Sequence, residues 1–514
     1  MTAIPVNQSG PITLNIDGFL QVVGEYGKFQ KILTVILGLM LFPFKFVIFI
    51  LFFTSMEPEW RCVANSSRCL LNGTFTSQDG LRCRMPKSEW EYVQPKEYSI
   101  IVAFDLACGN EWLVHVATSI MFVGALFGAI FLGWYSDHYG RKKLLYFCFV
   151  FVIMSNFLTI FVPNICLFIG LRFVTGFMFS AVNTCYYVML SETVGDRYRP
   201  ISGSILWSLY AVALCILPLK AYLFNSWKHL VVACSLPYLL LMTTYQFVPE
   251  SFRWLRLKGR FKEAMEVFQQ IAEWNGKKLD PSLRILPVVI LSKEKSNLTD
   301  LFRSKRTTLT FITFVICCYT NGLVYFGASL ASGDLGTGSL YLNFLLVSLV
   351  EFPALLLASY CCNRFGRKRS TMVPITLAGL TTFLIAFTPP TTPTFTACRV
   401  VLGMLGKLAI SMSFPCAFNL LVEAYPTNIR SEVLGIMDIS VNLGGASAPW
   451  VARGLARYSK QLPFLVMGAM GLISGLLCWV LPETKGVPMK ESQFDFQENG
   501  TNKCTAIKNP NFGG

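Results

Sequence analysis

Four ionisable side chains interrupt long apolar runs of this 514-residue chain. Lys45 lies within Phe44-Lys45-Phe46, Glu351 begins the run Glu-Phe-Pro-Ala, and Lys407 and Asp438 stand inside two later apolar stretches. An ionisable side chain inside a membrane span is costly and therefore indicates a functional site by default. Ammonium and carboxylate groups in one apolar environment predict binding of small charged solutes.

Two interpretations of Lys45 stay open. It can attract a carboxylate or another negative group of a bound solute, or it can pair with an acid on another helix, for which Glu351 is available. Arg172 and Lys220 lie closer to the ends of their apolar runs, so we expect their charged heads to snorkel to the interface. Asp438 precedes Asn442 by four residues, which places the two side chains on one face of a helix.

The composition requires a bilayer around these residues. Hydrophobic residues make up 53% of the chain and charged residues only 14%, whereas soluble domains carry about 25% charged residues. The formal net charge of +15 does not indicate nucleic-acid binding, because the lysines and arginines lie between apolar runs and not on a soluble domain. The chain is therefore predicted to be an all-α membrane protein.

About twelve runs are long enough to cross the bilayer, at roughly 20 residues each. They lie at about 32–54, 112–135, 144–162, 165–190, 201–224, 229–248, 308–330, 339–361, 372–389, 395–421, 432–452 and 463–481. The runs form two halves of six, joined by a basic linker that the positive-inside rule keeps in the cytosol. The predicted parts are a cytosolic N-terminus (1–31), a first half (32–250) with an extracellular loop (56–111), a linker with an amphipathic helix (251–306), a second half (307–484) and a cytosolic tail (485–514).

A short basic link occurs twice, once in each half. Gly133-Trp-Tyr-Ser-Asp-His-Tyr-Gly-Arg-Lys-Lys143 is echoed by Cys362-Asn-Arg-Phe-Gly-Arg-Lys-Arg369. Asp137 beside Arg141 and Lys142 predicts a charged cytosolic latch, whereas Asn363 replaces the acid in the second copy and predicts a weaker, uncharged contact beside Arg367. Positive-inside topology alone would explain the basic residues but not the repeated frame. Further charged residues flank other cytosolic helix ends: Glu192, Arg199, Glu250, Arg253, Glu423, Arg430 and Glu483.

The predicted extracellular loop carries cysteines and glycosylation sequons. Cys62, Cys69, Cys83 and Cys108 can form disulfides in three pairings, and the sequence does not choose among them. Asn65 and Asn72 begin the two sequons. The alternative is a loop of free thiols with sequons that occur by chance.

Six signatures in order resemble the major facilitator superfamily and, within it, the organic ion transporters of solute carrier family 22. The similar segments span about Val22 to Gly486 and begin at Gly24, Ser99, Gly133, Pro249, Glu423 and Leu481. The resemblance implies the major facilitator fold with two pseudo-symmetric six-helix halves. It also implies that the charged cytosolic helix ends form networks between the two halves.

The resemblance further implies which residues line a substrate cavity. Similar transporters carry an acid at the position of Glu351, a basic residue at that of Lys407, and rings at those of Tyr325 and Phe326. The position of Asn442 is acidic in similar cation carriers and basic in anion or carnitine-like carriers, so its neutral amide is a departure from both. Asp438 can supply the negative charge instead. The local sequence is most similar to the zwitterion-preferring branch.

The expected function is alternating-access transport of small organic ions across the plasma membrane, with both termini in the cytosol. Zwitterions or organic cations such as carnitine-like and quaternary-amine solutes fit the mixed charges best. The alternatives are an organic anion transporter or exchanger, and a transport-inactive receptor-like or adhesion protein. The sequence predicts no enzyme, cofactor, metal site or nucleic-acid partner, because its three histidines are scattered and it has no nucleotide-binding loop. Sodium, a proton or a counter-substrate can each serve as coupling partner.

Overall fold

A computed structural model describes residues 13–14, 16–63, 74–75, 81–280, 283–285, 302, 304–335, 339–389, 392–425 and 427–485. The first half and the linker contain helices α1 (Ile16–Val23), α2 (Lys28–Thr54), α3 (Ile100–Ala103), α4 (Trp112–Tyr139), α5 (Arg141–Leu158), α6 (Ile165–Thr193), α7 (Arg199–Leu223), α8 (Trp227–Ser235), α9 (Phe252–Leu257) and α10 (Phe261–Trp274). The second half contains α11 (Lys305–Leu330), α12 (Leu340–Leu349), α13 (Glu351–Phe365), α14 (Arg367–Ile385), α15 (Pro393–Ala424), α16 (Thr427–Pro449) and α17 (Leu462–Leu477).

The prediction of an all-α membrane fold is confirmed. Nine helical segments in the described part of the chain are long and apolar enough to cross a membrane. The other three predicted spans coincide with α14, with α16, and with α8 followed by a 3₁₀ segment at Leu236–Gln246. Helices suit this environment because they satisfy their own backbone hydrogen bonds where no water is present.

The two halves repeat one packing scheme. Helix α2 packs against α7 in the first half as α11 packs against α16 in the second, and α5 packs against α6 as α14 packs against α15. Helix α4 meets α16, and α7 meets α12, where the halves face each other. The residues that belong to different halves in the sequence therefore meet along this central interface.

Glycines allow α4 and α6 to approach until their backbones touch. A Cβ on Gly176 would lie 1.9 Å from the carbonyl oxygen of Met121, and one on Gly124 would lie 2.3 Å from that of Phe173. Close approach through small residues is a main source of helix association in a bilayer, where apolar burial between helices gives little driving force.

The expectation that Arg172 snorkels is wrong. Arg172 on α6 is 1% exposed, and its Nη2 donates a hydrogen bond of 2.9 Å to the carbonyl oxygen of Val47 on α2. The distance of Arg172 from the helix end does not show which face of α6 it occupies. It is buried because that face packs against α2. Lys220 also turns inward, since its Nζ donates to the carbonyl oxygen of Ala233 at 2.8 Å.

The loop at 56–111 has a defined core in its described part. Strand β2 (Trp60–Cys62) pairs antiparallel with β3 (Trp90–Tyr92), and a disulfide joins Cys83 to Cys108. Cys62 is also disulfide-bonded. The remaining predicted loop residues lie outside the described part of the chain: Asn65, Cys69 and Asn72.

An acid beside this disulfide anchors the loop. Lys87 Nζ lies 2.6 Å from a carboxylate oxygen of Asp105, and Tyr92 donates its hydroxyl to the same oxygen at 2.9 Å. Partial burial acts to raise the pKa of Asp105, but these hydrogen bonds outweigh it and hold the pKa below its usual value. Asp105 is therefore charged at neutral pH and ties Lys87 and Tyr92 to the segment that precedes Cys108.

On the cytosolic side, α10 packs on α1 through an apolar face. That face is buried and includes Ala264, Val267, Phe268 and Ile271, and the ring centroids of Phe19 and Phe268 lie 4.8 Å apart. Beside it, β1 (Thr13–Leu14) pairs in parallel with β4 (Arg284–Ile285). The linker is thereby joined to the segment that precedes the first span.

We predict that Gly176→Ala destabilises the first half by about 1–3 kcal/mol, because the new methyl group cannot fit against the α4 backbone. The measurement is the thermal midpoint of purified protein in detergent. Gly170→Ala on the same helix is the matched control, since a Cβ there meets nothing within 4 Å. Equal midpoints for the two variants would contradict the packing described for α4 and α6.

Candidate functional site

A buried ion pair lies at the centre of the second half. Lys407 Nζ on α15 is 3.0 Å from Glu351 Oε1 on α13, and the two side chains are only 1% and 4% exposed. Lys407 also donates to Ser329 Oγ at 2.8 Å. Glu351 reaches this position because α12 ends at Leu349 and α13 starts anew at Glu351. The pair is neutral as a unit, which makes its burial tolerable.

Two tyrosines extend this network across the central interface. Tyr325 on α11 donates its hydroxyl to Glu351 Oε1 at 2.8 Å, and the same hydroxyl is hydrogen-bonded to that of Tyr210 on α7. The Tyr210–Tyr325 contact joins the two halves. Sequence reasoning missed Tyr210, because nothing in its local sequence distinguishes it from the other 18 tyrosines.

Lys45 on α2 faces rings and not carboxylates. Its Nζ lies 4.4 Å from the ring centroid of Tyr210 and 5.6 Å from that of Phe179. No hydrogen bond or ion pair of Lys45 occurs with the described residues. Glu351 forms its salt bridge with Lys407 and acts on Lys45 only through a longer-range electrostatic attraction. The short-range contacts of the Lys45 ammonium are therefore the cation–π contacts with these two rings.

Asp438 and Asn442 share one face of α16. The Asn442 side-chain amide donates to the backbone oxygen of Asp438 at 2.9 Å and to its Oδ2 at 3.2 Å. The carboxylate of Asp438 also attracts Lys45 electrostatically across the interface. Asn442 is therefore a local partner of Asp438, and Asp438 forms no salt bridge with any residue that the structure describes.

Phe326 fills the interface next to these charges. Its ring centroid lies 4.8 Å from that of Phe122 on α4 and 5.9 Å from that of Phe49 on α2. It also meets the neighbouring Tyr325 edge-on at 5.2 Å. A ring of the second half is thus packed between two helices of the first.

The first cytosolic link is held within its own half. Arg141 forms an ion pair with Glu192, which also accepts a 2.5 Å hydrogen bond from Ser251 Oγ. Glu250 accepts from the backbone N–H groups of Arg141 and Lys142 at 3.0 and 3.1 Å. A carboxylate at the first turn of α5 satisfies free N–H groups and complements the helix dipole.

Two further predicted cytosolic residues bind backbone oxygens in the same half. Arg253 Nε donates to the backbone oxygen of Glu192 at 3.3 Å, and Arg199 Nε donates to that of Ser191 at 2.8 Å. Asp137 and Arg430 lie in α4 and α16, but their side chains are outside the described part of the structure.

The second link repeats the contacts of the first: an arginine–glutamate ion pair, a hydroxyl that donates to the same glutamate, and a second glutamate that accepts from a backbone N–H group. Arg367 Nε lies 3.0 Å from Glu423 Oε1, and Thr484 Oγ1 donates to Glu423 Oε2 at 2.5 Å. Glu483 accepts from the backbone N–H of Arg367 at 2.9 Å. The expectation of a weaker, uncharged contact in this copy is wrong, because the acid comes from α15 and not from the position of Asn363, which is exposed.

The described contacts of these clusters each lie within one half. Arg141, Glu192 and Glu250 belong to the first half, and Arg367 and Glu423 belong to the second. The resemblance implied contacts across the interface; the four described acids bind a helix terminus or an arginine of their own half: Glu192, Glu250, Glu423 and Glu483. The clusters therefore hold each half together at its cytosolic end.

Hydrogen bonds between the halves occur near the helix ends that adjoin the 56–111 loop. Arg453 Nη1 donates to Ser55 Oγ at 2.8 Å, and Trp450 Nε1 donates to Ser119 Oγ at 3.0 Å. The halves therefore meet here through hydrogen bonds as well as through the ring contacts of Phe326.

Comparison with known proteins places the chain in a family. The model of the family "Sugar (and other) transporter" matches residues 66–496, so the chain belongs to that family of membrane transporters and is not an enzyme. Partially occluded, inward-open XylE, a xylose transporter from E. coli, matches with a TM-score of 0.62 at 16% identity over 90% of this chain and 99% of its own. This likeness confirms the major facilitator fold.

Within that class, the chain belongs to solute carrier family 22. Solute carrier family 22 member 6-A of Xenopus laevis is 30% identical over 88% of this chain and 82% of its own length. Solute carrier family 22 member 3 of Rattus norvegicus is 29% identical, covering 95% and 96%. Organic cation/carnitine transporter 4 of Arabidopsis thaliana is also 29% identical, covering 96% and 94%. The chain is thus an organic ion transporter of this family.

We predict that Glu351→Gln lowers the stability of the protein by about 3–5 kcal/mol, because it leaves the buried Lys407 without a countercharge. The double variant Glu351→Gln/Lys407→Met removes both charges and is expected to recover most of that loss. The measurement is again the thermal midpoint in detergent. A double variant no more stable than Glu351→Gln would show that the ion pair is not the reason for the loss.

We also predict that Tyr210→Phe slows substrate uptake while surface expression stays normal. The ring over Lys45 remains, but the hydroxyl contact with Tyr325 between the halves is lost. The control is Tyr146→Phe, which removes a hydroxyl bonded to Thr244 Oγ1 at 2.7 Å within the first half. Unchanged uptake in Tyr210→Phe would mean that this contact does not influence transport.

Proposed function

We propose that this chain carries small organic zwitterions and organic cations, such as carnitine-like or other quaternary-amine solutes, across the plasma membrane. One observation carries the proposal. Because Glu351 and Lys407 neutralise each other, the site retains one ammonium, Lys45, and one carboxylate, Asp438, on opposite halves of the molecule.

A zwitterion matches this arrangement of charges. Its negative group can bind Lys45 and its positive group can bind Asp438, so each charge keeps a partner when it leaves water. A strong ion of one sign would satisfy one of the two residues and leave the other uncompensated. The ring of Tyr210 beside Lys45, together with Tyr325 and Phe326, provides aromatic faces for a quaternary ammonium group.

The proposed mechanism is alternating access. A solute that bridges Lys45 on α2 and Asp438 on α16 would draw the two halves together around it, because these helices belong to different halves. The cytosolic clusters of Glu192 and Glu423 would keep each half rigid during this movement. Both chain ends would lie in the cytosol, and the 56–111 loop would be extracellular, glycosylated at Asn65 and Asn72 and crosslinked by its cysteines.

The similar organic cation/carnitine transporter 4 of Arabidopsis thaliana supports this choice of cargo. Lys45 also supports a second candidate, an organic anion carrier, because it is a buried cation without a carboxylate at salt-bridge distance. The alternative of another class is a receptor-like or adhesion protein without transport. Transport of the solute would be coupled to sodium, to a proton or to exchange with a counter-substrate.

We predict opposite selectivity changes in two neutralising variants. Lys45→Met is expected to reduce uptake of zwitterions and anions about tenfold or more, and Asp438→Asn is expected to do the same for zwitterions and cations, given about 1.5–3 kcal/mol for a hydrogen bond to a charged group. Uptake of labelled cation, anion and zwitterion panels, with and without sodium and at two pH values, measures both.

Matched controls separate the site from general charge effects. Lys220→Met removes a lysine bound to a backbone oxygen outside the site, and Glu432→Gln removes an exposed acid on α16. Dominant dicarboxylate exchange would refute the zwitterion proposal. No uptake of any organic ion despite normal surface expression would favour the receptor-like alternative.

A further inference from the structure

One acid at the extracellular end serves both halves of the molecule. Glu111, immediately before α4, accepts from the backbone N–H of Cys108 at 3.0 Å and lies 3.9 Å from Arg82 Nη2. The same side chain forms an ion pair with Arg457, which follows α16 in the second half. Glu111 therefore connects the extracellular loop to the opposite half.

Arg82 is an unusual partner because it is buried in the loop. Its side chain is 2% exposed, and it lies 3.3 Å from Glu57 and 3.9 Å from Glu111. Two of its nitrogens, Nε and Nη1, have no hydrogen-bond partner among the described residues. A buried guanidinium depends strongly on the carboxylates that remain near it, so Arg82 holds Glu111 in place.

The loop itself is fixed next to these residues. Cys83, which follows Arg82, is joined to Cys108, whose N–H binds Glu111. Lys87 binds Asp105 at 2.6 Å in the same region. Arg82 and Glu111 are thus presented by one covalently closed segment, whereas Arg457 is 45% exposed and belongs to the half that must move away.

We propose that Glu111 is the fixed half of an extracellular gate, that Arg457 is its releasable partner, and that the disulfide-closed loop keeps Glu111 ready to re-form the contact. This inference rests on the alternating access of the proposed function. When the extracellular end opens, Glu111 loses Arg457 but keeps Arg82 and the Cys108 N–H. Opening therefore leaves no isolated buried charge, and the gate is held shut only by a partly solvated ion pair.

The test reads extracellular opening without reference to uptake. The reporter is the substitution Phe326→Cys, which places a thiol below the gate. A membrane-impermeant methanethiosulfonate labels this thiol from outside in intact cells. The exposed Cys166 and Cys398 are replaced in the background. We expect Glu111→Gln and Arg457→Gln each to speed labelling about two- to fivefold, as for a partly exposed ion pair. The double variant is expected to be no faster than the quicker single variant.

The matched control lies in the same loop. Glu91→Gln breaks the exposed Arg61–Glu91 pair, which is within the loop and makes no bridge to the second half. Labelling in Glu111→Gln no faster than in Glu91→Gln, or additive effects in the double variant, would overturn the gate. Removal of the Cys83–Cys108 disulfide by the double substitution Cys83→Ser/Cys108→Ser is expected to speed labelling in the parent protein but not in Glu111→Gln. Equal acceleration in both would overturn the role of the loop.

This readout separates the gate from the proposed cargo. If no organic ion is taken up but labelling responds to Glu111 and Arg457 as expected, the proposed function fails and the gate stands. If uptake follows Lys45 and Asp438 while labelling ignores Glu111, the function stands and the gate fails.

Discussion

The low dielectric of the bilayer is the constraint on which this structure depends, because a charge inside it must be matched or used. Glu351 and Lys407 meet that requirement for each other, and their pair also fixes the hydroxyl of Tyr325. Through Tyr325, the pair reaches Tyr210 on the other half. A neutral, satisfied core thus leaves a small number of charges free to act on a solute, and it places them on both sides of the interface.

In both halves, a carboxylate satisfies the free backbone N–H groups at the start of the helix that follows the basic link. The Glu250 carboxylate accepts a hydrogen bond from the first backbone N–H of α5, and the Glu483 carboxylate accepts one from the first backbone N–H of α14. Gly140 and Gly366 make this possible, since both have positive φ values and a Cβ on either would lie 2.5 Å from the capping carboxylate. These bonds are internal to each half, so movement between halves need not break them.

The two ends of the molecule therefore differ in what they connect. The described acids of the Glu192 and Glu423 clusters bind within one half, whereas near the 56–111 loop Glu111 and Ser55 bind arginines of the other half. The Glu111–Arg457 ion pair is partly solvated and can be exchanged for water at modest cost. The extracellular loop, closed by the Cys83–Cys108 disulfide, adds a rigid support to that end.

The sequence by itself determined the membrane fold, because apolar runs of sufficient length have few alternatives in a bilayer, and it identified Lys45, Glu351, Lys407 and Asp438, because charges there are costly. Pairing was decided only by tertiary structure. Whether Glu351 faces Lys45 or Lys407 depends on how α13 and α15 are rotated against each other, which local spacing does not encode. The burial of Arg172 and the hydrogen bond between Tyr210 and Tyr325 could not be predicted for the same reason. Each depends on which face one helix turns toward another.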